Sequence, residues 1–175
     1  MAILLLLGPS PAATKQQEPS TPPTRSSPAA SRLRAALHEW RRVAIFADPN
    51  NVTANWAGPD VCAYTGVLCE PLGPGGGGGV AGIHLSHADI AGHLPASLPL
   101  GLPADLITVV RLNSNRFTGV VPSTFGRLHR LRELDLSNNL LVGKFPDGLL
   151  ELPSLKNINI SDNAFDHQTV SACAT

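Results

Sequence analysis

Residues 110–122, VRLNSNRFTGVVP, decide the fold, because the chain repeats them at 134–146 as LDLSNNLLVGKFP and begins a third copy at 158–168 as INISDNAFDHQ. One asparagine recurs at the same place in every copy, 24 residues after the one before it: Asn115, Asn139 and Asn163. A fixed period of this length predicts stacked structural repeats, each burying its apolar edge against its neighbours.

Within each copy the apolar residues follow the register L-x-x-L-x-L-x-x-N-x-L, which is typical of leucine-rich repeats. A weaker copy, VAGIHLSHADIAGHLP at 80–95, extends the array to four repeats, with Ala88 at the asparagine position and a three-residue insertion near 99–103. Each L-x-L pair marks a short strand. We therefore predict an α/β fold, a leucine-rich repeat solenoid with a parallel concave sheet, in which the asparagines bond backbone groups of the adjoining turn. The predicted inward residues are Ile83, Leu85, Ile90, Leu94, Val110, Leu112, Phe117, Val121, Leu128, Leu131, Leu134, Leu136, Leu141, Phe145, Leu152, Leu155, Ile158, Ile160 and Phe165.

The length and charge of the chain limit the possible functions. Its 175 residues suit one domain with tails, and its 13 basic and 13 acidic residues balance, so no net charge recruits nucleic acid. We divide the chain into a signal-like and disordered segment (1–31), an N-terminal cap (32–70), a Gly/Pro linker (71–79), the repeats (80–165) and a divergent tail (166–175).

The N-terminus carries a short apolar run, Ala2 to Leu7, followed by small residues. This arrangement resembles a weak secretion signal, although it lacks a basic start and is shorter than usual. A disordered N-terminus without a targeting role is the alternative. No run is long enough for a membrane span, which needs roughly 20 apolar residues.

The region before the repeats has the features of a cap. Apolar residues spaced at helical intervals predict a helix from Arg32 to Phe46, with Ser31 at its start and Asp48-Pro49 at its end. Cys62 and Cys69 then close a tight loop. We expect a disulfide within a cap that covers the open end of repeat one, and a metal or redox pair is the alternative. Cys173 remains as a free thiol or an intermolecular partner.

Other chemical motifs give little support to an enzyme. No Ser/His/Asp triad, paired carboxylates or phosphate loop is found, and His84, His87, Asp89 and His93 are not expected to converge as a metal site. We therefore expect no catalysis, metal or cofactor. Two glycosylation sequons occur, at Asn51-Val52-Thr53 and Asn159-Ile160-Ser161. The first lies in the cap loop and is the predicted glycan site, whereas a sugar on the second would obstruct the concave face.

The outward residues of the predicted strands form a polar ladder. We expect a protein- or peptide-binding surface there, built on the architecture of a solenoid. A solvated polar face without a ligand is the alternative. The predicted surface comprises His84, Arg111, Asp135 and Asn159, flanked by Arg132, Glu133, Lys156, Asn157, Ser114, Asn138 and Asp162.

Several stretches resemble the plant leucine-rich repeat extensins, including their pollen-type members. The resemblance covers about residues 33–165 and is carried by ANWAGPDVCAYTGVLC, VAGIHLSHADIAGHLP, LNSNRFTGVVP and LDLSNNLLVGKFP. It implies a secreted protein of the cell wall, and a repeat domain that binds rapid-alkalinisation-type signalling peptides. Family members carry about ten repeats and a Ser-Pro-rich tail, and usually have Cys where Thr118 stands here.

We therefore expect a secreted cell-wall glycoprotein whose concave surface binds a protein or peptide, with wall polymers as further partners. One alternative is a structural wall component without a peptide ligand. The other is a truncated, non-functional fragment, since the pattern changes abruptly after Phe165.

Overall fold

The computed structural model describes residues 28–71, 78–102 and 104–166. The segments 1–27 and 167–175, with the signal-like run and Cys173, lie outside them. The helices are α1 (Pro28–Val43), α2 (Ser97–Gly101) and α3 (Asp147–Leu150), and short 3-10 helices span Val61–Ala63 and Ser123–Arg127. The strands are β1 (Ile45–Ala47), β2 (Val67–Pro71), β3 (Gly78–His84), β4 (Ala91–His93), β5 (Val109–Arg111), β6 (Arg116–Gly119), β7 (Glu133–Asp135), β8 (Leu140–Gly143), β9 (Asn157–Asn159) and β10 (Ala164–Phe165).

The L-x-L strands of the four repeats form one sheet, which we call the first sheet. Its order is β2-β3-β5-β7-β9, and β3, β5, β7 and β9 run parallel. The 24-residue period places each strand beside its copy, as the pairs Val110–Leu134 and Leu134–Ile158 show. The predicted α/β solenoid with a parallel sheet is therefore confirmed.

A second sheet runs along another side of the repeats and was not predicted. It contains β1, β4, β6, β8 and β10 in that order. Strand β1 belongs to the cap, whereas each of the other four follows the asparagine position of a repeat, which Ala88 occupies in repeat one. Gly119 and Gly143 end β6 and β8 with φ angles of 81° and 77°, in the left-handed region that glycine enters without steric cost. These two glycines thus occupy the ends of their strands, where the chain turns.

The predicted inward residues fill the space between the sheets and the helical segments. Those of repeats one to three are all buried, and Leu134, Leu136, Leu141 and Phe145 are fully enclosed. Leu155, Ile158, Ile160 and Phe165 of repeat four are only partly buried. The core is thus continuous through the described repeats and thins at its far end.

Each repeated asparagine joins two successive repeats. The amide nitrogen of Asn139 donates to the carbonyls of Leu136 and Ser137 in its own repeat and to Leu112 in the preceding one, at 3.0–3.1 Å. Its Oδ1 accepts from the backbone N–H of Phe117 at 3.0 Å. Asn115 and Asn163 make the corresponding bonds, so these side chains satisfy backbone groups that would otherwise be buried without partners.

The cap helix differs from its predicted limits. It begins at Pro28, where a proline without an N–H is well tolerated in the first turn, and Ser31 therefore lies inside the helix. It ends at Val43 instead of Phe46, because Ile45–Ala47 forms β1 and pairs antiparallel with β4. The predicted extension to Phe46 was wrong because tertiary pairing with repeat one overrides the local helical pattern.

Two tryptophans anchor the cap to the first repeats. Trp40 of α1 packs 5.8 Å from Trp56 and 5.7 Å from Phe117, measured between ring centroids, and both indoles are buried. The indole N–H of Trp40 donates to the carbonyl of His93 at 2.8 Å. The cap therefore closes the N-terminal end of the solenoid, as predicted.

The predicted linker at 71–79 requires correction. Pro71 ends β2, and Gly78 and Gly79 begin β3, so the ends of this segment belong to the antiparallel pair of strands at one edge of the first sheet. Residues 72–77 lie outside the described residues. The insertion in repeat one is accommodated by α2, where Leu98 and Leu102 are buried and the helix packs on α1.

Candidate ligand surface on the first sheet

Four outward side chains of the first sheet stand in one row. His84, Arg111, Asp135 and Asn159 are consecutive register partners on β3, β5, β7 and β9. We call this row the ladder. Neighbouring parallel strands lie about 4.8 Å apart, so the row extends over roughly 15 Å. His84 and Asn159 are exposed, whereas Arg111 and Asp135 are half-buried. The structure therefore brings all four predicted ladder residues together.

A charged pair braces the centre of this surface. Arg111 donates to both carboxylate oxygens of Glu133, Nε to Oε1 at 2.5 Å and a terminal nitrogen to Oε2 at 2.8 Å. The hydrogen bond from Arg111 lowers the pKa of Glu133, and the same bond raises the pKa of Arg111. Arg111 is the register partner of Asp135, but its guanidinium binds Glu133, which lies two residues earlier on the same strand as Asp135. This pair fixes the guanidinium at the middle of the surface.

The two ladder residues after Arg111 are held by serines. Oδ1 of Asp135 accepts from the backbone N–H of Ser137 at 3.0 Å and from its hydroxyl at 2.6 Å. Oδ1 of Asn159 accepts from the N–H and hydroxyl of Ser161 at 3.2 and 2.9 Å. This repeated arrangement orders both side chains before any ligand binds, which lowers the entropy cost of binding.

Two cations stand at one edge of the surface. Arg132 and Lys156 immediately precede β7 and β9, both are exposed, and the Lys156 N–H donates to the carbonyl of Arg132 at 2.9 Å. In the described part of the chain, neither side chain takes part in an ion pair. Their charges are therefore available to an anionic group of a ligand.

The histidine cluster considered in the sequence separates in the structure. His84 lies on the first sheet, whereas His93 lies on the second, with its ring 4.7 Å from that of Phe46 and 3.0 Å from the Thr118 hydroxyl. His87 occupies a left-handed turn with φ 55°. Across residues 28–71, 78–102 and 104–166, no three potential ligands gather at a metal-binding distance.

The predicted disulfide is present in the cap. Cys62 and Cys69 are bonded, with their Cα atoms 5.8 Å apart. Beside them, the Tyr64 hydroxyl donates to the Gly58 carbonyl at 2.8 Å, which fixes the loop that the disulfide closes. Asn51, the predicted glycan site, is exposed in the preceding loop, and Asp48 accepts three hydrogen bonds from Val52 and Thr53 there.

Sequence reasoning missed an apolar surface on the second sheet. It comprises the exposed side chains of Phe46, Leu140 and Val142, together with Val120, which directly follows β6. Leu140, Leu141 and Val142 are consecutive apolar residues, and because side chains of a strand alternate between its faces, only Leu141 is buried. None of the described helices is both long and apolar enough to cross a membrane.

Comparison with known proteins agrees with this architecture. A family model described as Leucine rich repeat matches residues 106–165. Leucine-rich repeat extensin-like protein 1 of Arabidopsis thaliana is 52% identical over 103 residues, which cover 58% of this chain and 13% of that protein. Pollen-specific leucine-rich repeat extensin-like protein 3 of the same plant is 53% identical over 83 residues, 47% of this chain and 11% of that protein.

The chain is similar to the plant leucine-rich repeat extensin-like proteins. It corresponds to only a small part of the length of these relatives, since its match covers 13% of the first of them. The stretches that carry the family resemblance in the sequence form the cap, the ladder strands and their turns.

Solved structures of plant ectodomains share the fold of this leucine-rich repeat domain. The BIR2 ectodomain of Arabidopsis thaliana matches with a TM-score of 0.64 and 26% identity, over 77% of this chain and 68% of that one. The Arabidopsis receptor kinase HAESA, solved in complex with the peptide hormone IDA and the co-receptor SERK1, matches with a TM-score of 0.61 and 30% identity, over 78% and 22%.

Proposed function

We propose that the chain is an extracellular, cell-wall leucine-rich repeat protein that binds a protein or peptide on its first sheet. The observation that carries this proposal is the ladder, four polar side chains in register on four parallel strands. Three of its members, Arg111, Asp135 and Asn159, are held by the Glu133 carboxylate or by serines, so this part of the surface is ordered without a ligand. The mechanism is recognition without catalysis.

The relatives support the location and the kind of partner. Extensin-like names are consistent with a protein of the cell wall, and the names and fold together favour a non-enzymatic interaction protein. HAESA, which shares the fold, is in complex with a peptide hormone and a co-receptor. A protein or peptide partner is therefore the class that this architecture favours.

A rapid-alkalinisation-type signalling peptide is the specific ligand that we propose on the basis of the family resemblance. The ladder offers such a peptide the imidazole of His84, the guanidinium of Arg111 and the Asp135 carboxylate, with the ammonium of Lys156 at the edge. Wall polymers would be additional partners of the whole protein. A structural wall component without a peptide ligand is the competing proposal.

Calorimetric titration of the purified chain with synthetic alkalinisation-type peptides tests the proposal. We expect saturable binding, and at least about tenfold weaker binding in the double variant His84→Ala/Arg111→Ala, which corresponds to about 1.4 kcal/mol. The matched control is Leu140→Ser/Val142→Ser, which changes two exposed side chains of the second sheet and should bind as the original chain does.

Circular dichroism of each variant separates a lost contact from a lost fold. The absence of saturable binding to any peptide of the panel would exclude the peptide ligand and favour the structural role. Equal weakening by the ladder variant and by the second-sheet variant would show that the ladder is not the binding surface.

A further inference from the structure

Asn159 occupies the last position of the ladder and begins the sequon Asn159-Ile160-Ser161. The side chain is exposed. Its oxygen is engaged, because Oδ1 accepts from the N–H and the hydroxyl of Ser161 at 3.2 and 2.9 Å. Its nitrogen has no hydrogen-bond acceptor among the described residues. The acceptor atom of N-glycosylation, Nδ2, is thus the free end of an oriented amide.

The same side-chain geometry recurs one repeat earlier without the amide. Asp135-Leu136-Ser137 makes the equivalent pair of bonds, with Oδ1 accepting from the N–H and hydroxyl of Ser137. The two residues are register partners on β7 and β9. A nitrogen at this position is therefore not required to hold the strand or the turn, since a carboxylate serves the same structural role.

The sequon in the cap has a different environment. Asn51 has a left-handed backbone with φ 51°, and the Thr53 hydroxyl of its sequon is buried and donates to Asp48 at 2.7 Å. The hydroxyl of Ser161 instead bonds the sequon asparagine itself and is exposed. The hydroxyl-bearing residue of the sequon is therefore exposed at Ser161 and buried at Thr53.

We propose that Asn159 carries an N-linked glycan, which occupies the far end of the ladder. In this step Nδ2 attacks the anomeric carbon of a lipid-diphosphate-linked oligosaccharide and a C–N bond forms. The C–O bond to the diphosphate breaks, the lipid diphosphate leaves with the electron pair, and one amide proton passes to a base. This inference rests on the proposed extracellular function, because the glycan is added only on the secretory route.

The glycan determines which part of the ladder a protein ligand reaches. A bulky, polar sugar on Nδ2 stands directly beside Asp135 in register and one residue beyond Ile158, which is only partly buried. The sugar covers this end of the first sheet, and the ligand contacts His84, Arg111 and Asp135. The ladder thus has a protein-binding part and a glycan-covered part.

Mass spectrometry of the chain expressed from its full sequence in plant cells tests the proposal. Cleavage after Lys156 gives one peptide, 157–175, in which Asn159 is the only sequon asparagine. We expect this peptide to carry sugar in most exported molecules. Asn159→Asp should abolish the modification without affecting the fold, because Asp135 shows that a carboxylate fits this position. Asp135→Asn creates the sequon Asn-Leu-Ser one repeat earlier and should gain a glycan there.

The outcomes separate this inference from the proposed function. Exported chains with unmodified Asn159, whether or not Asn51 carries sugar, would overturn the glycan at Asn159 and leave the extracellular function intact. Chains that remain inside the cell would overturn both. An Asp135→Asn variant that is exported without a second glycan would contradict the assignment of the acceptor to this side-chain geometry.

Discussion

Repeats three and four share one sequence pattern but differ in how much of their apolar surface is buried. Leu134, Leu136 and Leu141 of repeat three are fully enclosed. Their counterparts Ile158, Ile160 and Phe165 are partly exposed, and they line a cavity of about 310 Å³ beside β9. All six side chains are large and apolar, so the difference in burial arises from their surroundings.

This comparison shows that burial in a solenoid is supplied by neighbours. Strand β7 is paired on both sides, by β5 and β9, whereas β9 is paired with β7 alone among the described residues. Each repeat contributes one apolar edge to the repeat before it and one to the repeat after it. The same leucine position therefore contributes a different free energy of unfolding in different repeats.

Truncating the same apolar position in repeats three and four should give the largest difference between them in the free energy of unfolding. Leu134→Ala and Ile158→Ala each remove three carbon atoms from register partners. We expect a loss of about 4 kcal/mol in the free energy of unfolding for Leu134→Ala, which leaves a cavity in an enclosed core, and about 1–2 kcal/mol for Ile158→Ala. Urea unfolding followed by circular dichroism measures both.

The conservative pair Leu134→Ile and Ile158→Leu provides the control, since it retains volume and should cost less than about 1.5 kcal/mol at either site. Equal losses for the two alanine variants would contradict the comparison. Such a result would mean that Ile158 is as well enclosed as Leu134 in solution.

Replacing the repeated asparagines should give the next largest difference in the free energy of unfolding between the two repeats. Asn139 is buried and makes four hydrogen bonds to backbone groups, whereas Asn163 makes the corresponding bonds from a half-buried position. Asn139→Ala should cost about 3 kcal/mol, because it leaves several buried backbone groups without partners. Asn163→Ala should cost about 1 kcal/mol, since water reaches the groups that it exposes.

Hydrogen exchange locates the effect of each asparagine variant. In Asn139→Ala the amide of Phe117 should lose protection, because its acceptor is the Asn139 side chain. In Asn163→Ala the amide of Leu141 should change instead. Unchanged protection of Phe117 in Asn139→Ala would show that this bond does not couple repeats two and three.

The repeat register made most of the fold predictable. Because a period of 24 residues fixes both the strand positions and their register, the first sheet, the ladder and the asparagine bonds all follow from Asn115, Asn139 and Asn163. The short spacing of Cys62 and Cys69 similarly indicated the disulfide in the cap.

The contacts between the cap and the repeats could not be predicted in the same way. Strand β1 forms because Ile45 and Ala47 meet Gly92 and Ala91 across more than 40 positions of sequence. No local sequence pattern indicates such a distant partner, and the cap helix was therefore predicted to continue to Phe46 instead of ending at Val43. The antiparallel pairing of β2 with β3 likewise joins residues such as Cys69 and Val80, and the glycine-rich composition before Val80 does not indicate it.

The charged pair on the first sheet gives the smallest expected difference in the free energy of unfolding between repeats three and four. Whether a carboxylate stabilises or destabilises its repeat depends on the charge of the neighbouring residue on the preceding strand. Glu133 binds Arg111, whereas its counterpart in repeat four, Asn157, follows a strand that carries Asp135 at the position equivalent to Arg111. Glu133→Gln should cost about 0.5 kcal/mol at pH 7, a small value because the Arg111 side chain is 40% exposed to screening solvent. Asn157→Glu should gain nothing and lose a few tenths of a kcal/mol, since its register partner on β7 is Glu133 and the same strand carries Asp135.

The pH dependence tests whether the effect of Glu133 is electrostatic. Arg111 lowers the pKa of Glu133 in the folded state, so its contribution is complete above the unfolded value of about 4.3 and is lost as the pH falls through the lower folded pKa. The difference in unfolding free energy between the original chain and Glu133→Gln should therefore shrink on acidification, while that for the neutral control Asn157→Gln should stay constant. A difference for Glu133→Gln that is the same at pH 7 and at pH 3 would mean that this side chain stabilises repeat three by packing, and the contrast with Asn157 would then rest on shape instead of charge.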